Sequence, residues 1–247
     1  MTNRIKKRIK NFINQRIKEI KKHQTLTQQT ALDYAQISRL FPESNFIPLT
    51  SWSISPSVIL HILNDIVINK RKNIIEFGSG ASTLYIARLI QTLKLEVKFY
   101  SVESNEDWIQ KMKKELTLYN LQDVVTLIYA PLKEAPENLC LKEQKLWYDT
   151  EIINKALENN KAIDLIIVDG PYGGSTPFAR YSAIPFLQDR LAKEIGVFLD
   201  DARREQEHEI AHQWAEILNL KPRNFRRYSY ITNNSEFITT PYEIAKS

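Results

Sequence analysis

Residues 74–83 read IIEFGSGAST: an apolar run around one acid (Ile74, Ile75, Glu76, Phe77), then Gly78-Ser79-Gly80, then Ala81, Ser82 and Thr83. A short apolar run followed at once by glycines and then by a helical pattern marks a strand, a tight turn and a helix whose first N–H groups can face a ligand. A dinucleotide-binding turn keeps its sixth position small, so that helix and strand can close around a pyrophosphate. Here that position is Thr83. The turn is therefore either a dinucleotide site without its last glycine or a complete turn for a ligand that has no pyrophosphate.

Outward from this stretch the chain alternates short apolar runs with amphipathic ones. Upstream, SPSVILHILNDIVIN predicts a helix, with Ser55 at the N-cap and Pro56 in the first turn. Downstream, ASTLYIARLIQTL predicts a helix, EVKFYSVE a strand, NEDWIQKMKKELTLY a helix and VVTLIYA a strand. Residues 131–150 read as irregular, TEIINKALENN as a helix and IDLIIVD as a strand. Thr176-Pro177 predicts the start of another helix, GVFLD a strand, REQEHEIAHQWAEIL a helix, and RNFRRYSYI with SEFITT a closing antiparallel pair. Strands that alternate with helices imply a parallel sheet covered on both faces. Ligands of such sheets bind beyond the carboxyl ends of the strands, at the switch in strand order.

The second strand supplies a further clue. Glu103 ends it, 25 residues after Gly78, where an acid can accept hydrogen bonds from the two hydroxyls of a ribose. A nucleoside-containing cofactor follows. Thr83 disfavours a pyrophosphate, and Glu76 beside the turn would repel one while attracting a cation. S-adenosylmethionine, with an ammonium, a sulfonium and no phosphate, suits these residues.

EFGSGAST together with VES resembles the nucleotide-binding half of class I S-adenosylmethionine-dependent methyltransferases, and IDLIIVDGP is similar to that family's fourth strand with its acidic end. The resemblance covers roughly residues 55–240. It implies a Rossmann-like three-layer sandwich with a mostly parallel seven-stranded sheet, helices on both faces and an antiparallel C-terminal strand pair. A basic N-terminal helix and linker (1–50) would precede the methyltransferase domain (51–247). By resemblance, Glu76, Gly78 and Gly80 contact the methionine portion, with Ser79, Ser82 and Thr83 in the same turn. Glu103 and Ser104 would serve the ribose, and Asp169 the region between cofactor and acceptor. Many family members carry an acid after the third strand for the adenine amino group. Ala130 stands there in this chain, which leaves adenine to backbone groups or a neighbouring side chain.

On the acceptor side, Asp169 and the pair Asp200-Asp201 end consecutive strands of the pattern and should converge on one rim. Asp169 is the first candidate for a catalytic base and Asp200 the second. Some O-methyltransferases of this fold hold a metal on acids at these strand ends, but N-capping and cofactor contacts account for these acids as well, and no metal ligand is assigned. Trp147, Tyr148 and Tyr172 are candidates to cover the acceptor, with Asp201 beside them and Arg180 or Arg203 to pair an anionic group. The VDGP turn is similar to that of methyltransferases acting on acidic polysaccharides, which makes a small-molecule or glycan hydroxyl the expected acceptor.

The overall charge of +5 is unevenly spread. Residues 1–23 hold nine Lys/Arg against the single acid Glu19, a net +8, so the rest of the chain is mildly acidic, which argues against a nucleic-acid-binding body. Within that segment Ile5, Ile9, Phe12, Ile13, Ile17 and Ile20 recur at helical spacing, giving an apolar side that can pack on a protein surface or lie on an anionic membrane. The single cysteine, Cys140, excludes an internal disulfide and fits a reducing cytoplasm. No stretch reaches the length of a spanning helix, and no signal peptide is read. His208-Glu209-Ile210-Ala211-His212 spells the zinc-protease pattern H-E-x-x-H, but its approach is highly charged, it should lie far from the strand ends, and Glu236 is only a formal third ligand. Two other functions compete with methyl transfer: an NAD-dependent oxidoreductase, and a membrane-surface or scaffold protein that keeps the fold without turnover.

Overall fold

Five parallel strands and an antiparallel pair form one sheet in the order β3-β2-β1-β6-β7-β9-β8. In the computed structural model, which describes residues 2–42, 45–160, 162–234 and 236–243 (with the side chains of 2–6 and 22 outside the description), the strands are β1 Asn73–Phe77, β2 Lys98–Glu103, β3 Thr126–Tyr129, β6 Ile163–Val168, β7 Leu191–Leu199, β8 Pro222–Asn224 and β9 Ser229–Thr232. A separate hairpin joins β4 Leu132–Glu134 to β5 Leu146–Tyr148 within the stretch expected to be irregular. The helices are α1 Thr2–Ile37, α2 Pro56–Ile68, α3 Ala81–Leu93, α4 Glu106–Leu118, α5 Thr150–Ala156, α6 Ala183–Leu187 and α7 Glu205–Ile217.

Side chains alternate across the sheet because successive strand residues point to opposite faces. Ile74, Leu165, Ile167 and Phe198 join the core under α2 and α3, whereas Ile75, Phe77, Ile166, Val168, Val197 and Leu199 join the core under α6 and α7. Both faces of the central strands are thus covered, as their near-continuous apolar sequences require. The order reverses at β1, which pairs with β2 on one side and β6 on the other, so the crevice at the carboxyl ends of β1 and β6 is the switch point.

Three expectations are corrected. Thr176-Pro177 does not open a helix: the Thr176 hydroxyl accepts the Lys145 N–H at 3.0 Å, Phe178 has φ of +53°, and the helix begins only at Ala183. Of SEFITT, Ser235 lies outside the described residues and 236–240 form no strand. The antiparallel pair lies within 222–232, closed by Phe225 N–H donating to the Tyr228 carbonyl at 2.8 Å. Thr239 instead meets the buried ring of His61, whose nitrogens lie 2.9 Å from Thr239 Oγ1 and 2.8 Å from Tyr228 Oη. Burial pushes that imidazole down to about 4, so it stays neutral. Finally, the basic helix runs well past residue 23. Its last turns belong to the core, with Asp33 and Ile37 buried and Asp33 accepting a hydrogen bond from Ser57.

Candidate active site

The turn after β1 is set by its glycines. Gly78 has φ of +95°, and a Cβ added there would stand 2.7 Å from the Gly170 nitrogen, so the turns after β1 and β6 touch backbone to backbone. The Phe77 carbonyl accepts both Asp169 N–H at 2.9 Å and Gly170 N–H at 2.7 Å, closing the floor of the crevice; the Gly170–Pro171 peptide is cis. Gly80 differs. Its backbone is extended (φ −176°), and an added Cβ would meet nothing within 4 Å. The chain itself therefore has no steric need for glycine at 80, and the space above it is open.

Glu76, expected at the methionine portion of the ligand, lies beneath the turn. Its carboxylate is fully buried and accepts hydrogen bonds from Ser82 Oγ and Thr83 Oγ1 at 2.5 Å each and from Ser101 Oγ at 2.7 Å. Thr83 Oγ1 in turn accepts the Gly80 N–H at 2.9 Å. Glu76, Ser82 and Thr83 thus fix the shape of the turn from beneath. Burial pushes the Glu76 carboxyl up to about 7, against the three hydroxyl donors that favour its charged form.

Glu103 stands at the end of β2, beside the turn. Its Oε1 accepts the N–H groups of Ser104 and Asn105 at 2.7 Å each, and its Oε2 accepts Ser79 Oγ at 3.2 Å. This leaves acceptor capacity on Oε2, since a carboxylate oxygen takes two donors. Trp108, not foreseen from sequence, donates from Nε1 to the Ser79 carbonyl at 2.8 Å and ties α4 to the turn. Ala130 is enclosed and spends its N–H on the Glu103 carbonyl at 2.8 Å, so that N–H is not available to adenine.

On the other side of the crevice Asp169, Asp200 and Asp201 do converge, with carboxylate oxygens within 4.8 Å of one another. Arg180 Nη2 lies 3.1 Å from Asp169 Oδ1 and 3.4 Å from Asp201 Oδ2. Arg227 Nη2 lies 3.2 Å from Asp200 Oδ2 and also donates to the Ser53 carbonyl, while Arg204 Nη2 lies 2.9 Å from Asp201 Oδ2. Burial raises the Asp169 carboxyl, opposed by Arg180 and supported by Asp200 and Asp201. Asp200 is raised mainly by burial too, but it is enclosed at 2% exposure, whereas the Asp169 side chain keeps 17%. Asp169 is thus the more exposed of the two carboxylates.

The remaining candidates separate. Trp147, expected to cover the acceptor, is fully buried against Phe77 and Phe186. Tyr148 is buried with its hydroxyl against Gly170, and burial together with the charge of Glu103 raises that phenol. Tyr172 is exposed and faces Trp52, ring centroids 5.5 Å apart, a pair joining segments 120 residues apart in sequence (52 and 172). Arg203 is exposed and forms no ion pair among the described residues; Arg180, Arg204 and Arg227 hold the acids instead. Of these three only Arg180 was anticipated, because Arg227 reaches the rim from the hairpin between β8 and β9. The H-E-x-x-H residues lie on α7, with Glu209 paired to Lys142 at 2.5 Å, and His208 and His212 join no potential metal cluster among the described residues.

No protein-family model matches the chain, and no curated protein matches it. Solved structures do. A protein from Staphylococcus aureus assigned as a caffeoyl-CoA O-methyltransferase superposes with a TM-score of 0.56 at 16% identity, over 87% of this chain and 99% of that one. An O-methyltransferase from Bacillus cereus, solved with S-adenosylhomocysteine, gives 0.51 at 14% identity over 85% and 91%. A precorrin-6y C5,15-methyltransferase from Geobacter metallireducens gives 0.53 at 14% identity over 78% and 96%. The chain has the Rossmann-like fold these methyltransferases share, with its antiparallel C-terminal pair.

Proposed function

We propose that this chain is an S-adenosylmethionine-dependent methyltransferase acting on a hydroxyl of a small-molecule or glycan acceptor. The observation that carries the reading is Gly80, a glycine in extended backbone with open space where its side chain would be, placed at the switch point between β1 and β6. A ligand that approaches the backbone closely accounts for it. Gly78, Ser79 and Gly80 would hold the methionine portion, and Glu103, braced by Ser104 and Asn105, would accept from the ribose. Thr83 fills the position a pyrophosphate turn keeps small and is locked onto Glu76, which disfavours NAD. The O-methyltransferase assigned in Staphylococcus aureus and the S-adenosylhomocysteine bound in the Bacillus cereus structure support the cofactor and the oxygen acceptor.

When bound, the cofactor supplies an electrophilic methyl group. The chain has to orient the acceptor and take its proton. Asp169, raised by burial and facing the crevice, is suited to that base role near neutral pH. Arg180 positions its carboxylate, and exposed Tyr172 with Trp52 offers flat apolar surface at the rim. The expected result for Glu103→Ala is that S-adenosylhomocysteine binds about 5- to 150-fold more weakly by calorimetry, the range for losing a hydrogen-bonding partner to a buried ligand group. Unchanged affinity would remove Glu103 from the site.

The proposal extends to a cytoplasmic protein held to an anionic membrane by its N-terminal helix. Ile9, Phe12, Ile13, Ile17 and Ile20 are about half exposed along α1, beside a cationic face. A second copy of the helix would set +8 against +8, whereas an anionic lipid surface complements the charge. No described helix is long and apolar enough to cross a membrane. The protein should sediment with phosphatidylglycerol vesicles and not with phosphatidylcholine vesicles, and deletion of residues 2–23 should abolish this. Equal sedimentation with and without the segment would refute the assignment.

A further inference from the structure

We infer that Arg180 is the resident cation of the Asp169, Asp200 and Asp201 cluster, its guanidinium standing where three converging carboxylates would otherwise gather a divalent metal ion. The oxygens lie within 4.8 Å of one another, a spread that one hard cation with metal–oxygen bonds of about 2.0–2.6 Å can bridge. Arg180 enters this space from the segment between β6 and α6 with its side chain only 4% exposed. Its Nη2 is shared between Asp169 and Asp201, and its Nη1 donates to the Asp200 carbonyl at 3.0 Å, so the guanidinium is held by both strand ends.

Charge decides what the cluster can accept. Three carboxylates already face Arg180, Arg227 and Arg204, and Arg227 reaches both Asp200 Oδ2 at 3.2 Å and Asp201 Oδ1 at 3.6 Å. A divalent ion added beside a buried guanidinium would be repelled strongly in an interior of reduced dielectric. The cluster as built therefore does not fit a metal, although its acids do.

Two atoms of the cluster are left over by this arrangement. Asp200 Oδ1 and Arg180 Nε are both buried without a hydrogen-bond partner. A buried carboxylate oxygen left unpaired is costly, and it is the atom a compact ion could take once the planar guanidinium is gone. Removing Arg180 should thus uncover a metal site that the wild-type chain suppresses. This inference does not depend on the cofactor, because the cluster is complete within the chain.

The test uses full-length protein stripped with EDTA and titrated with Mn2+ alone, read by the loss of the free-ion signal in electron paramagnetic resonance. The wild type should leave the Mn2+ signal unchanged at submillimolar concentrations. Arg180→Ala should bind one Mn2+ per chain, and adding Asp200→Asn should abolish that binding. Arg180→Lys, which keeps the charge, should remain silent. Binding of Mn2+ by the wild type overturns the inference, and so does a folded Arg180→Ala variant that binds none. If Arg180→Ala is unfolded by circular dichroism, recovery of its helical signal on adding Mn2+ supports the inference and failure to recover overturns it.

Discussion

Gly78→Ala is expected to lower stability by about 3 kcal/mol and to remove most of the affinity for S-adenosylhomocysteine. The residue sits at φ +95°, where an L side chain is strained by about 1–3 kcal/mol. The added methyl would also stand 2.7 Å from the Gly170 nitrogen and 3.0 Å from its Cα, against backbone that cannot rotate aside. Overpacking of this kind costs about 1–3 kcal/mol more. Because Gly170 follows Asp169 directly, relief of the clash would spread the two turns and shift both halves of the crevice. Urea unfolding and calorimetry read the two effects. Gly80→Ala is the control: with nothing within 4 Å of the new Cβ, it should change stability by less than about 1 kcal/mol and weaken only ligand binding. Equal stability losses at the two positions would contradict the assignment of Gly78 to the fold and Gly80 to the ligand.

Glu76→Ala should cost about 3 kcal/mol, since it leaves the hydroxyls of Ser82, Thr83 and Ser101 buried without their common acceptor. Its titration gives a second reading. The folded carboxyl titrates at about 7, above its ordinary value of 4.5. Between these values the folded protein holds a proton at Glu76 that the unfolded chain has released, so the contribution of this group to stability falls as pH rises from about 4.5 to 7, by up to roughly 3 kcal/mol. Glu76→Gln, which keeps the shape without the charge, should flatten that part of the profile. The slope that remains belongs to Asp164, Asp169 and Asp200, whose folded carboxyls are also raised, and to His61, whose lowered imidazole makes stability rise with pH up to about 6.5. Unfolding free energies measured across this range should therefore diverge between wild type and Glu76→Gln as pH rises. Parallel curves would show that Glu76 does not titrate there.

The parallel sheet and the position of the crevice were legible because they depend on local signals: apolar runs of strand length, helical periodicity, and glycines directly after a strand. The place of Glu103 at the end of β2 was legible for the same reason, as an acid at a fixed position in a strand-helix-strand unit. What was misread depends on contacts across long sequence distances. Thr176 looks like an N-cap, but its hydroxyl is engaged by Lys145, 31 residues earlier. Trp147 looks like an acceptor contact until Phe77 and Phe186 close over it. Glu76 has the sign expected of a ligand for a cation, yet three hydroxyls enclose it, one of them from the neighbouring strand. Arg227 and Trp52 had no local signal at all, since each is brought to the rim by tertiary packing.

The central claim is that the open space above Gly80, beside Glu103, takes S-adenosylmethionine and not a dinucleotide. Titration calorimetry of the intact protein with S-adenosylhomocysteine and, separately, with NAD tests it most directly. The account predicts one S-adenosylhomocysteine bound per chain and no heat from NAD. Binding of NAD with none of S-adenosylhomocysteine would contradict it.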